Sequence, residues 1–323
     1  MDMRAALREA RRVHCRHNYA WVAIPMTYPA LFDQFQRTES LSDGICVYDF
    51  LGGAIDASFK YDWERYVVPE GQKVKPAYPS LSEWTVDWLA CMLAAKLAAE
   101  RFNVIELGAG YGQWMVTSIL AFKALNPNAP AHGMAIEADP THYAWLITHV
   151  ERNLGRFRDT RTDLLQAAAG LDGSVEFPVI DEPLKDYGAS YTTSFVYEKT
   201  VTVGSLSLET IDTRFGETEI DLLHIDIQGA EEDLIRHSGY ARVLDKTRTV
   251  LFGTHEEELH ADVLRSLHDA GFAIKVNWPG NSLISTPYGT LNTNDGAILA
   301  VNDRYSDAAD AVYDFRELAG APV

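Results

Sequence analysis

The sequence predicts an α/β fold on a mainly parallel sheet, preceded by an appended N-terminal region. Three observations carry this. From about Phe102 onward, short β-branched runs alternate with amphipathic runs, as in successive βαβ units. The stretch "GMAIEADP" at 133–140 reads as a strand running straight into a helix. The last two strand-like runs, 272–278 and 296–301, have no helix-length pattern between them, so they are expected to pair antiparallel and close the sheet.

Taken in order, residues 1–80 mix aromatic and charged residues with Gly52-Gly53, Pro69, Gly71, Pro76 and Pro79 and show no sustained period. They are read as an extension of unreadable role ahead of a domain spanning 81–323. From Ser80 or Ser82 to about Glu100 the chain is apolar nearly all round, as a helix buried between the sheet and another layer would be. The first strand leads into "FNVIELGAGYGQW" at 102–114. In the second unit Asp139 is an N-cap, Pro140 takes the first helical position, Tyr143, Ile147, Val150 and Leu154 recur at helical spacing, and Gly155 marks the stop. Further strands are expected at 164–168, 221–227 and 249–253, with helices at about 230–237 and 257–270. The connection 279–295 is long and polar, a length that suits a functional or disordered loop.

The totals narrow the function. Lys and Arg number 28 against 46 Asp and Glu, a formal charge of −18 that repels a phosphate backbone, so nucleic acid is not an expected partner. The three cysteines, Cys15, Cys46 and Cys91, contain no CxxC pair and suit free thiols in a reducing compartment. The first residues, "MDMRAALREARRVHCRHN", lack the apolar stretch of a secretory signal. The most apolar segment, 88–99, is too short to cross a bilayer, which takes roughly 20 apolar residues. A cytoplasmic protein is expected, and homo-oligomer formation is left open.

A glycine-rich turn between strand and helix brings backbone close to a ligand. Here Gly108-x-Gly110-x-Gly112 departs from the dinucleotide GxGxxG, because Gln113 stands where the third glycine is needed, with Trp114 behind it. Glu106 ends the first strand, where a pyrophosphate is an unwelcome neighbour and the cationic amino-acid end of S-adenosyl-L-methionine a good one. Glu137 ends the second strand, where an acid accepts hydrogen bonds from ribose hydroxyls in both NAD and S-adenosylmethionine sites. Glu106 therefore discriminates between the two cofactors.

The sequence resembles the FkbM family of class I S-adenosylmethionine-dependent methyltransferases. The stretches that carry the resemblance are "VIELGAGYGQW" at 104–114, "GMAIEADPTHYAWL" at 133–146, "LLQAAAG" at 164–170, "GASYTTS" at 188–194, "SLSLETID" at 205–212 and "IDLLHIDIQGAEEDLI" at 220–235. The last is the most specific, being similar to the family's usual "DLLKIDVEGAE". The resemblance implies a Rossmann-like, seven-stranded sheet with an antiparallel last strand. It also implies that Glu106, Gly108, Ala109, Gly110 and Gly112 surround the methionine end of the cofactor, that Glu137 and Ala138 lie at the ribose, that Gln166, Ala167 and Ala168 border the adenine, and that Asp226 faces the sulfonium and the acceptor. The sequence departs from the family pattern at His224, where lysine is usual, and at Gln228, where an acid is usual, which weakens any metal role for position 228.

For a hydroxyl acceptor, methyl transfer needs in-line alignment and removal of a proton. His255 follows the fifth strand, next to the strand that ends at Asp226, and is the candidate base; the plainer reading is a histidine capping the next helix. The run "THEEELH" is a near miss to a zinc helix, since His255 and His260 are five apart and would diverge by about 140° on a helix. His224 lies in an apolar strand and reads as a packed histidine, and His14 and His17 lack a third partner. Asp226 with Glu231 makes at best a weak magnesium site, and no metal is expected. Trp114, Tyr191, Trp278 and Tyr288 are aromatic residues on or near the expected ligand side. The expected reaction is O-methylation of a hydroxyl on a sugar, glycolipid or polyketide-type natural product, with a small molecule or glycan as acceptor. The alternatives are an N- or carboxyl-methyltransferase, a nicotinamide oxidoreductase, or a silent module that retains the cofactor fold.

Overall fold

In the computed structural model, which describes residues 28–318, the alternation that starts at Phe102 becomes seven strands. These are β1 (Phe102–Leu107), β2 (Ala131–Glu137), β3 (Thr160–Gln166), β4 (Ile220–Ile225), β5 (Thr247–Thr254), β6 (Phe272–Trp278) and β7 (Gly296–Asn302). They form one sheet in the order β6-β7-β5-β4-β1-β2-β3. Strands β1 to β5 pair in parallel, and β7 runs antiparallel to both β5 and β6, as expected for a pair with no helix between them. Every residue of β1, β2 and β4 is buried, as the strands of a sheet covered on both faces must be.

The helices are α1 (Thr85–Leu97), α2 (Gln113–Leu125), α3 (Pro140–Leu154), α4 (Leu208–Phe215), α5 (Glu231–Arg236), α6 (Tyr240–Asp245), α7 (Glu257–Asp269) and α8 (Ser306–Val312). Strand alternation divides the apolar core in two. Phe102 and Val104 of β1 join α1, α2 and α3 on one face, while Ile105 and Leu107 join α4 to α7 on the other. No helix among the described residues is long and apolar enough to cross a membrane.

The expected α1 is present and buried on nearly all sides. Asp139 caps α3 by accepting from the amides of Thr141 and His142, both at 2.8 Å. Two expectations shift. β3 starts at Thr160 rather than 164, because the polar residues 160–163 carry no apolar period yet pair with 131–134 in the ladder. The connection 279–295 contains a short hairpin, Leu283–Thr286 with Gly289–Asn292, held by backbone pairing that polar residues do not advertise.

The described part of the N-terminal region shares the core of α1 and α2 through Leu31, Phe32, Phe35, Phe50 and Leu51. Its hairpin, Cys46–Tyr48 with Ala54–Asp56, docks on α3. The Asn153 side-chain oxygen accepts from the Ala54 amide at 2.7 Å, and its Nδ2 donates to the Ala54 carbonyl at 3.0 Å. Arg152 pairs with Asp43 at 2.7 Å and Asp56 at 3.4 Å. This docking explains why the buried side of α3 holds His142, Leu146, His149, Val150, Asn153 and Leu154, while Ile147 is exposed. Cys46 and Cys91 are free and buried; Cys15, His14 and His17 lie outside the described residues.

Candidate active site

The carboxyl ends of β1, β2 and β4 open onto a cavity of about 300 Å³. Such an edge is where open α/β sheets place ligands. Its walls include Glu106, Gly108, Ala109, Gly110, Glu137, Ala138, Ala167, Ala168 and Asp226. Gly112 and Gln166 are not among its walls. Gly112 adopts a left-handed φ of 77° as the residue that starts α2, and Gln166 is exposed at the end of β3.

The glycine loop is held by two buried acids. Glu106 is 1% exposed and accepts from the Trp114 amide at 3.2 Å and the Met115 amide at 2.8 Å, which satisfies the first turn of α2. Burial pushes its carboxyl up to about 7, against the opposing pull of His224 and these two amides. Glu137 accepts from the Gly110 amide at 2.6 Å and the Asp139 amide at 2.7 Å. Burial outweighs those bonds and pushes it up to about 8. At Gly108, with φ of 74°, a methyl group would overlap the backbone carbonyl of Asp226, so only glycine lets β1 and β4 close at this point.

Register places His224 of β4 beside Glu106 of β1. His224 is a buried histidine, as expected, with Nε2 3.0 Å from Asp87 of α1 and its ring stacked on Trp114. Burial works against the charge on His224, but Asp87 prevails and raises its pKa.

Beyond β4, Asp226 lines the cavity with 40% of its side-chain surface open. His255 stands behind it. Its Nε2 is 3.3 Å from Asp226 Oδ1 and its Nδ1 is 3.5 Å from Glu231 Oε1. Burial disfavours a charged imidazole, yet the two carboxylates outweigh it and push His255 up to about 11. In turn His255, followed by His224 and Gln228, overcomes the burial of Asp226 and holds its carboxyl below the usual range. His255 is not a wall of the cavity, and an imidazole that carries its proton at neutral pH has no free lone pair to offer an acceptor. It also precedes α7, so it is not on the zinc-like helix; His260 is bonded to Thr254 and Asn277, each at 2.7 Å.

Asp226, Glu231 and His255 bring three potential ligand atoms within 4.8 Å of one another. Glu231, however, already accepts from the Ile227 amide at 3.0 Å and the Gly229 amide at 2.8 Å, so both of its oxygens are engaged by backbone, and His255 stands between it and Asp226.

Of the four aromatic candidates, Trp114 and Tyr191 line the cavity. Trp278 is fully buried and donates to the Leu318 carbonyl at 3.0 Å, and Tyr288 packs beside Tyr313 and Glu317. Sequence reasoning missed Lys60, Trp84, Tyr111, His142 and Tyr187 as walls. Tyr187 stacks on His142 at 4.2 Å between centroids, and its hydroxyl donates to the Phe59 carbonyl at 2.6 Å. Tyr111 and Tyr187 adjoin recognisable motifs, but nothing in the sequence around Lys60 marks it.

A seven-stranded sheet with this order and reversal, bearing a glycine loop and acids at the ends of its first two strands, defines a methyltransferase of the Rossmann-like class. The Methyltransferase FkbM domain matches residues 106–274. The chain belongs to the FkbM methyltransferase family. A "Putative methyltransferase" of Jannaschia sp. (strain CCS1) is 27% identical over 223 residues, covering 65% of this chain and 76% of that protein. Among solved structures, the methyltransferase FkbM of Methylobacillus flagellatus KT is similar with a TM-score of 0.40 at 12% identity, over 62% of this chain and 44% of that one. Precorrin-6y C5,15-methyltransferase of Geobacter metallireducens GS-15 gives a TM-score of 0.37 at 12% identity, over 66% and 86%.

Proposed function

We propose that the protein transfers the methyl group of S-adenosyl-L-methionine to a hydroxyl of a sugar, glycolipid or polyketide-type natural product. The observation that carries this reading is Asp226, a carboxylate on the cavity wall at the end of β4, backed by the charged His255. In this reading Glu137 accepts the ribose hydroxyls beside Ala138, and Ala167 and Ala168 border the adenine, with Gln166 at the outer edge. The glycine loop, Gly108 to Gly112 with Ala109, carries the methionine end near Glu106. The residues fit: Glu137 is buried at the loop, and Gly108, Ala109 and Gly110 line the cavity beside it.

Asp226 accepts the hydrogen bond of the acceptor hydroxyl and takes its proton as the oxygen attacks. An alcohol becomes strongly acidic only as its bond to carbon forms, so a weak but positioned base suffices. His255 orients Asp226 and keeps it ionised, which makes it a positioning residue rather than the base. This assignment needs no metal. Isothermal titration with S-adenosylhomocysteine and with NAD tests the cofactor: micromolar binding of the first and none of the second is expected, and the reverse overturns the reading. For the acceptor side, Asp226→Asn is expected to keep S-adenosylhomocysteine affinity and lose turnover on hydroxyl acceptors; unchanged turnover removes Asp226 from the chemistry.

A further inference from the structure

Five of the cavity's walls are carboxylic acids: Glu106, Glu137, Asp139, Asp226 and Asp295. Among the described residues Lys60 is its single Lys or Arg. It comes from the N-terminal region, outside the segment matched by the family.

Lys60 is held in place. The chain before and after it is tied to the 183–187 segment, through the Phe59 carbonyl accepting from the Tyr187 hydroxyl at 2.6 Å and the Tyr61 amide donating to the Leu184 carbonyl at 3.1 Å. Phe59 is buried against Tyr111 and Trp145, with centroids 5.6 and 5.2 Å away. The Lys60 ammonium then lies 3.7 Å from the Tyr187 ring centroid and 5.5 Å from those of Trp84 and Tyr111. Aromatic faces stabilise a cation without neutralising it. Among the described residues no carboxylate pairs with Lys60, and burial, only partly offset by the more distant Asp226, lowers its ammonium to about 8.

S-adenosylmethionine brings a carboxylate that this cavity is otherwise badly built to receive. In many folds a helix N-terminus would take it. Here Glu106 already occupies the Trp114 and Met115 amides of α2. The other basic side chains on the walls are engaged: His224 with Asp87, and His142 with the Pro183 carbonyl at 3.0 Å. We infer that Lys60 is the carboxylate-binding cation of the cofactor site, presented on a cage of Trp84, Tyr111 and Tyr187 by the docked N-terminal region. The inference rests on the proposed cofactor. It gives residues 28–80 a part in cofactor binding, because among the described residues the rest of the chain places no Lys or Arg on the cavity wall.

The test compares S-adenosylmethionine with its decarboxylated form, which keeps the sulfonium and the amine and lacks only the carboxylate. Dissociation constants are measured by titration of the full chain, wild type and Lys60→Met. The expected result is that Lys60→Met weakens S-adenosylmethionine by about tenfold or more and changes the decarboxylated form by less than about threefold. Lys60→Arg is expected to recover part of the loss, since it restores the charge. Equal weakening of both ligands would make Lys60 a structural residue and overturn the inference, as would an unchanged affinity for S-adenosylmethionine. Wild type binding neither ligand would overturn the cofactor reading itself, and this inference with it. A melting temperature within a few degrees of wild type checks that Lys60→Met is folded.

Discussion

Asp226 Oδ1 and His255 Nε2 lie 3.3 Å apart across the ends of two adjacent parallel strands, with Glu231 on the other side of the imidazole. A protonated imidazole set between two carboxylates in this way stabilises the folded state.

The pH dependence follows from the raised pKa of His255. Its folded value of about 11 exceeds the value of about 6.5 for a free histidine, so its contribution is fully present below about pH 6.5 and is lost as pH rises toward 11. Asp226 has the opposite sign: its depressed pKa adds stability above the normal carboxylate range that is lost on acidification. Melting temperatures of wild type and His255→Gln, followed from pH 6.5 to 10, are expected to converge as pH rises. Parallel curves would contradict the charged triad.

Glu137→Ala is expected to weaken S-adenosylhomocysteine binding by about 1–3 kcal/mol, through lost ribose contacts and a loop freed at Gly110. An unchanged dissociation constant from titration would sink the ribose assignment.

Gly108→Ala is expected to fail more severely than Gly204→Ala, where a methyl group meets nothing within 4 Å. The added methyl collides with the Asp226 carbonyl and separates β1 from β4 at the edge of the cavity. A melting temperature equal to wild type would show that the two strands can part without cost.

Asn153→Ala removes both bonds to Ala54 and a third to the His149 carbonyl at 2.9 Å, leaving the half-buried Ala54 amide and carbonyl without their side-chain partner. A loss of about 1–3 kcal/mol in denaturant unfolding is expected. No loss would mean that the apolar contacts alone hold the N-terminal hairpin.

Chelation tests the metal question. Because both Glu231 oxygens already accept backbone amides and His255 stands between Glu231 and Asp226, EDTA is expected to leave S-adenosylhomocysteine affinity and turnover unchanged. A loss restored by magnesium or manganese would place a divalent ion among Asp226, Glu231 and His255.

Much of the sheet was legible because its signals are local. The run from Asn103 to Leu107 and the cap at Asp139 need no distant partner to be recognised. The polar start of β3 was not, since Thr160 to Asp163 belong to a strand only through their pairing with β2. For the candidate site, Glu106, Glu137 and Asp226 could be singled out as acids at strand ends. Their working partners could not: the α2 amides on Glu106 and the imidazole behind Asp226 depend on how the chain closes.

By itself the sequence determined the class of fold, the glycine loop and the acids that frame it, because strand periodicity, caps and glycine spacing are written within a few residues of one another. Only the tertiary structure placed His255 between Asp226 and Glu231, since the two carboxylates that raise its pKa come from 29 and 24 residues away in the chain. Only the tertiary structure, too, brought Lys60 from a region without any period to the acid-rich cavity. Its place there is set by aromatic packing and backbone bonds between segments more than 120 residues apart.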